Sequence, residues 1–289
     1  MRLATRRRLG TLAVLAPPLA WTLVFMIVPY AIMFAYSLYR KESLAFVPDL
    51  NLGNYLALLL DRQYSQVLLR TLKIALMVSA AALALAYPLA YFLVFKVRSA
   101  RLRLFLYMAV IVPLWVSYLL RAYTWKTILG SEGVLNSFLV WTGILSEPTP
   151  LFLYNQFSMV LTLTYIFIPF MVMPIYTALE KIPRSLIEAS GDLGVGPART
   201  FLRITLPLSV PGVLAGVTFT FCLTFGDFIA PFLVGGPTGT MVANTVQAQF
   251  GIAFNWPLGA ALSIVMLAIV IAIISLSDRF ERAGRLDLA

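Results

Sequence analysis

The chain has 289 residues, of which 61% are hydrophobic and only 12% charged. A soluble domain carries about a quarter charged residues, so this composition excludes a water-faced globule and points to helices in lipid. The net charge of +10 sits in short basic segments between apolar runs, which argues for loops against anionic headgroups and against nucleic acid. With no histidine in the chain, imidazole metal sites, Ser-His and Cys-His pairs and imidazole acid–base chemistry are all excluded.

Six apolar stretches read as spans, each near the ~20 residues that cross a bilayer. The first, about Leu12–Tyr36, follows Arg2, Arg6, Arg7 and Arg8. It is far longer than the apolar part of a signal peptide and reads as a retained anchor. An outer loop over 37–66 carries Glu42, Asp49 and Asp61 before the second span, about Ile74–Phe95. The third, about Leu104–Leu120, is the shortest, and its flanking Arg103 and Arg121 are expected to snorkel to the interface. A second outer loop over 121–156 holds Glu132 and Glu147. The fourth span, about Phe157–Leu179, contains Pro169 and Pro174, which kink a helix where neighbours satisfy the freed carbonyls. The fifth, about Leu208–Val234, contains Pro211, the single cysteine Cys222 as a packing residue, and the small-xxx-small face Gly212–Gly216. That face suits packing within one subunit or a seam between two. Gly235, Gly236, Pro237 and Gly239 mark a turn after it, and the sixth span is about Pro257–Leu276. The expected fold is all-α, one integrated membrane domain over 1–289.

Lysine and arginine fix the orientation. Fifteen of the 22 fall at the two termini and in the loops over 96–103 and 180–207, and seven fall on the other side. The richer side is cytoplasmic, so both ends and the 180–207 loop lie inside.

That loop predicts a short helix, a break and a second short helix. Pro183 suits the first position of a helix, Gly194 and Gly196 supply the stop, and Pro197 opens the next turn. Apolar Ile187, Leu193, Phe201 and Leu202 alternate with charge, which suits docking against protein. No phosphate-cradling Gly-x-x-x-x-Gly-Lys-[Ser/Thr] occurs in the chain, so its energy comes from another chain.

Glu188, Ala189, Gly194, Ile204, Leu206 and Pro207 match the signature loop of binding-protein-dependent ABC importer permeases; Ser190 stands where the family has alanine. The resemblance implies a type I importer permease fold with six transmembrane helices and an ATPase-coupling loop containing Glu188, Ala189, Ser190, Gly191, Asp192, Gly194, Ile204, Leu206 and Pro207. It implies a second permease subunit, two ABC ATPase copies, a periplasmic or extracellular binding protein and a bacterial inner membrane. It implies ATP and Mg held by the ATPase, with no cofactor, metal or catalytic residue in this chain. Pro88–Leu93, Arg121–Trp125, Ile168–Pro174 and Gly226–Phe228 further resemble the spermidine/putrescine B-type permeases. Related permeases carry opines, phosphonates, iron or sulfate, and the loop does not separate them. Two rivals of other classes are an ion-driven secondary transporter and an intramembrane enzyme.

For a substrate path the sequence offers Asp227, read as the only acid well inside a span, with Thr224 before it. Its alternative is a helix-end carboxylate paired with Arg121 or Arg70. Tyr118, Tyr123 and Trp125 offer aromatic faces to a cation, or form an interfacial belt.

Overall fold

A computed structural model describes residues 14–43 and 45–286, with 282–286 as backbone only. The arginines at 2, 6, 7 and 8 and the first two residues of the first predicted span lie outside the described residues. The chain forms two compact units: residues up to Arg62 with Val246–Ala268, and Gln63–Thr245 with the segment from Ile269 onward.

The first unit opens with α1, Val14–Ser37. It widens into a π turn over Leu23–Ile27, where the Val28 N–H reaches back five residues to the Leu23 carbonyl. Pro29 follows at once. A proline has no N–H to give and its ring crowds the carbonyl four residues back, so the inserted residue relieves both conflicts. After α1 come two short antiparallel strands, β1 Arg40–Glu42 and β2 Ala45–Val47, with Arg40 opposite Val47. They are the one strand pair among the described residues of an otherwise helical chain. Helix α2, Gly53–Leu60, is tied back by Asn54, which donates to the carbonyls of Ser37 and Tyr39.

The second unit is built on three long helices: α3 Arg62–Lys96, α7 Gln156–Glu180 and α9 Pro197–Phe225. Lipid tails are as apolar as leucine, so close van der Waals contact, not water exclusion, holds such helices together. Ala82, Ala86 and Ala90 make a small-residue face on α3 and bury against Met171, Val172, Ile175 and Leu179 of α7. Helix α7 starts on a capping box, in which Asn155 and Ser158 exchange side-chain and backbone bonds. The Gly212–Gly216 face of α9 meets α7 within this chain. A Cβ on Gly212 would lie 2.5 Å from the Pro174 carbonyl oxygen, and one on Gly216 would lie 2.8 Å from Met171 Sδ.

Two predicted spans are redrawn. The third is not one rod. Helix α4, Ala100–Trp115, ends in a 3-10 turn at Pro113, and the run Tyr118–Trp141 leaves it at 98°. Extended backbone at Val116 and Ser117 makes the corner, so Tyr118, Leu119 and Leu120 belong to α5, Tyr118–Leu129, which is followed by α6, Val134–Trp141. The fifth span starts early and stops early. Helix α9 already begins at Pro197 and ends at Phe225, and α10, Ile229–Val234, is a separate piece. Beyond these, α8 is Arg184–Asp192, α11 Val242–Phe250 and α12 Trp256–Leu286. Among the described residues five helices are long and apolar enough to cross a membrane, or six if the bent pair counts as one span.

Candidate functional site

The loop after α7 is an ordered elbow. Pro183 is extended at ψ 128°, so it stands just before α8 as its cap, not as its first helical residue. At the far end the Val195 N–H bonds the Ser190 carbonyl at 3.0 Å and the Gly194 N–H bonds the Gly191 carbonyl at 2.9 Å. This pair is a Schellman motif, which needs a left-handed residue between helix and chain, and Gly194 supplies it at φ +73°. A Cβ there would touch nothing, so the demand is conformational and not steric. Gly194→Ala is therefore expected to weaken the elbow by about 1–2 kcal/mol. Amide exchange in α8 should quicken accordingly, while Gly194→Asn, which visits the same region more readily, should change it less.

The chain then turns at Gly196 into α9. The predicted second short helix is not free-standing: Pro197–Thr200 runs through a π turn over Phe201–Thr205 into the long helix. The Leu206 N–H bonds the Phe201 carbonyl ahead of Pro207, the same device as at Pro29. Ser190 and Thr200, both buried, share a hydroxyl–hydroxyl bond of 2.7 Å that clamps α8 to the start of α9. Phe201 meets the rings of Tyr87 and Tyr91 on α3 edge-on, at 5.9 and 5.7 Å. Tyr87 also bonds Ser209 Oγ at 2.9 Å. The Ser190–Thr200 bond and the Phe201 ring contacts thus join α8, the start of α9 and α3.

Of the loop residues expected from sequence, Glu188, Ala189, Gly191, Asp192 and Gly194 are exposed, together with Leu186 and Leu193. Leu193 is 82% exposed, an apolar side chain left uncovered by the described residues. Ser190 is inside, and Ile204, Leu206 and Pro207 are half-buried on α9, across the turn from the exposed set. Sequence reasoning missed Thr200, Tyr87 and Tyr91. The hydroxyl at Ser190, where the family has alanine, was the signal for a partner such as Thr200.

A second cluster forms where α9 gives way to α10. Asp227 lies beyond the end of α9, not well inside a span, and is 8% exposed. Its Oδ1 accepts from the Ala230 N–H at 2.9 Å, and its Oδ2 accepts from Tyr118 Oη. It forms no ion pair with Arg121 or Arg70; Arg70 reaches toward the Thr240 carbonyl. Arg121 does not snorkel: it is 9% exposed, donates to the Ile166 carbonyl at 3.2 Å, and sets its guanidinium 5.8 Å from the Tyr118 ring centroid. Thr224 is buried and its carbonyl accepts from the Asp227 N–H. Trp125 packs edge-on against Tyr165 at 5.4 Å, and Tyr123 is exposed. Tyr118, Thr224 and Asp227 are thus brought together, and Tyr123 is not. Among the described residues no group of acids and cysteines could hold a metal.

The family model described as "Binding-protein-dependent transport system inner membrane component" matches residues 50–284. The chain belongs to this family. This binding-protein-dependent inner membrane component is 37% identical over 268 residues to the spermidine/putrescine transport system permease protein PotB of Escherichia coli, across 92% of this chain and 94% of that one. It is 36% identical to the inner membrane ABC transporter permease protein YdcU of the same species, across 94% and 91%. The crystal structure of a bacterial alginate ABC transporter, in complex with an alginate pentasaccharide-bound periplasmic protein, superposes with TM-score 0.77 over 98% of this chain. It covers 97% of that chain at 18% identity, a likeness of fold alone. The type I importer permease fold inferred from the signature loop therefore stands, and the ion-driven carrier drops out.

Proposed function

We propose that this chain is the permease subunit of an importer for polyamines, spermidine or putrescine, driven by ATP that a separate subunit hydrolyses. It pairs with a second permease chain above two copies of an ABC ATPase, and a binding protein delivers substrate from outside. ATP and Mg stay with the ATPase. Both termini and the elbow face the cytoplasm of a bacterial inner membrane. The substrate class is supported by identity to a spermidine/putrescine permease over most of both chains.

The observation that carries the coupling role is the elbow itself. Glu188, Ala189, Gly191 and Asp192 stand out from it, while Ser190–Thr200 and Phe201 fix it to the long helices. In this reading ATP-driven closure of the ATPases moves α8. The clamp passes that motion to α9, and the glycine seam at Gly212 and Gly216 passes it to α7. The helices tilt and open the path outward, and release of the products reverses this. Purifying the complex tests this: an ATPase co-elutes, and cross-links from Gly191 or Asp192 land on it. Cross-links that reach only the exterior would end the proposal.

Asp227, Thr224, Tyr118, Tyr123 and Trp125 are the residues proposed for the outer part of the substrate path. The geometry also favours a second reading, in which Asp227 caps α10 through the Ala230 N–H and anchors Tyr118. Two substitutions separate them. A pathway charge predicts that Asp227→Asn removes most polyamine uptake while assembly is normal. A cap predicts near-normal uptake for Asp227→Asn, whose amide oxygen still accepts, and a loss of about 1 kcal/mol of stability for Asp227→Ala. Uptake assays and thermal unfolding in detergent decide.

A further inference from the structure

A cleft of about 340 Å³ lies between the inner end of α3 and the elbow. Its walls include the rings of Tyr91, Phe95 and Phe201 and two cations, Lys96 and Arg184. Among the described residues neither cation forms an ion pair. Glu188 is the one acid in the lining.

The depth of this cleft is set by the chain. The apolar run of α3 ends at Phe95 and Lys96 follows at once, so the opening lies where hydrocarbon gives way to headgroups. Paired aromatic rings and free cations at that level match a phosphodiester with an acyl chain behind it. Phe92, half exposed on the π turn Phe92–Lys96 that ends α3, offers that chain a flank.

We infer that this cleft binds the phosphate of an anionic phospholipid of the inner leaflet, and that the lipid braces the elbow against α3. The inference rests on the cytoplasmic placement of the elbow proposed above. It makes coupling depend on the anionic lipid content of the membrane: without the lipid, Glu188 is the one countercharge that the cleft offers Lys96 and Arg184. Glu188 repels the phosphate, so an ATPase that engages Glu188 strengthens lipid binding in the same stroke.

The whole transporter, reconstituted in phosphatidylethanolamine vesicles with and without phosphatidylglycerol, gives the test. The readout is phosphatidylglycerol held per complex, from native mass spectrometry or a spin-labelled lipid. Each cation removed is expected to weaken binding about fivefold, so Lys96→Gln with Arg184→Gln loses about 20-fold or more. Arg98→Gln with Arg101→Gln, in the same basic segment at the junction of α3 and α4 but outside the cleft, changes it by less than about twofold. The conservative exchange Lys96→Arg with Arg184→Lys retains binding, and if the double variant does not assemble the single ones each show their share. Equal loss in both double variants would mean diffuse charge and overturn the site. Displacement of the lipid by inorganic phosphate would overturn the lipid, and loss of the ATPase from the Lys96/Arg184 variants would give the cleft to the ATPase. The lipid readout needs no ATP turnover, so a complex lacking any ATPase would defeat the coupling reading and leave this one standing.

Discussion

Gly212→Ala is expected to lower the stability of the folded chain by about 1–3 kcal/mol, although it adds one methyl group. In a solvated helix the same change would help, because alanine is the better helix former by about 1 kcal/mol. Here the methyl carbon would sit 2.5 Å from the Pro174 carbonyl oxygen and 2.5 Å from Ala178 Cβ. The first of those atoms is backbone, so no rotamer change relieves it and α7 must move away from α9. Gly216→Ala is milder, because its nearest obstacle is the movable end of Met171. Gly191→Ala supplies the control: nothing lies near its Cβ position, and it should be neutral or slightly stabilising. Thermal unfolding of the three variants in one detergent gives the ranking, and a Gly212→Ala protein as stable as Gly191→Ala would show that the two helices do not meet at that glycine.

The second large effect concerns force transfer. Glu188→Lys is expected to cut substrate-stimulated ATP turnover by tenfold or more, because reversing a charge inside a docking contact costs about 2–5 kcal/mol. Glu188 is exposed and forms no ion pair among the described residues, so the fold itself should tolerate the change. That separates it from Gly212→Ala, which acts on stability. The measurements are ATPase retained on purification and turnover in vesicles supplied with loaded binding protein. Normal coupled turnover in the Lys variant would remove Glu188 from the contact.

Both predictions draw on features that differ in how far they show in a sequence. The elbow was legible because its constraints are local. A left-handed residue selects glycine at 194, and a chain entering a helix selects proline at 183 and 197. What holds the elbow was not legible: Thr200 bonds Ser190 only because two helices cross, and Tyr87 meets Phe201 across more than a hundred residues of chain. Asp227 shows the converse error. Its apolar surroundings placed it inside a helix, whereas it follows the end of α9 and its carboxylate accepts from the Ala230 N–H in the first turn of α10.

By itself the sequence determined the solvent and the element type, because apolar runs with so few charges have one stable state in lipid, a helix with its backbone bonds satisfied internally. It also determined where the elbow turns. Only the tertiary structure decided which face of α9 meets α7, where α4 breaks from α5, and that Arg121 is buried. Those outcomes depend on contacts between segments far apart in the chain, and hydrophobic periodicity holds no information about a partner when every neighbour, lipid included, is equally apolar.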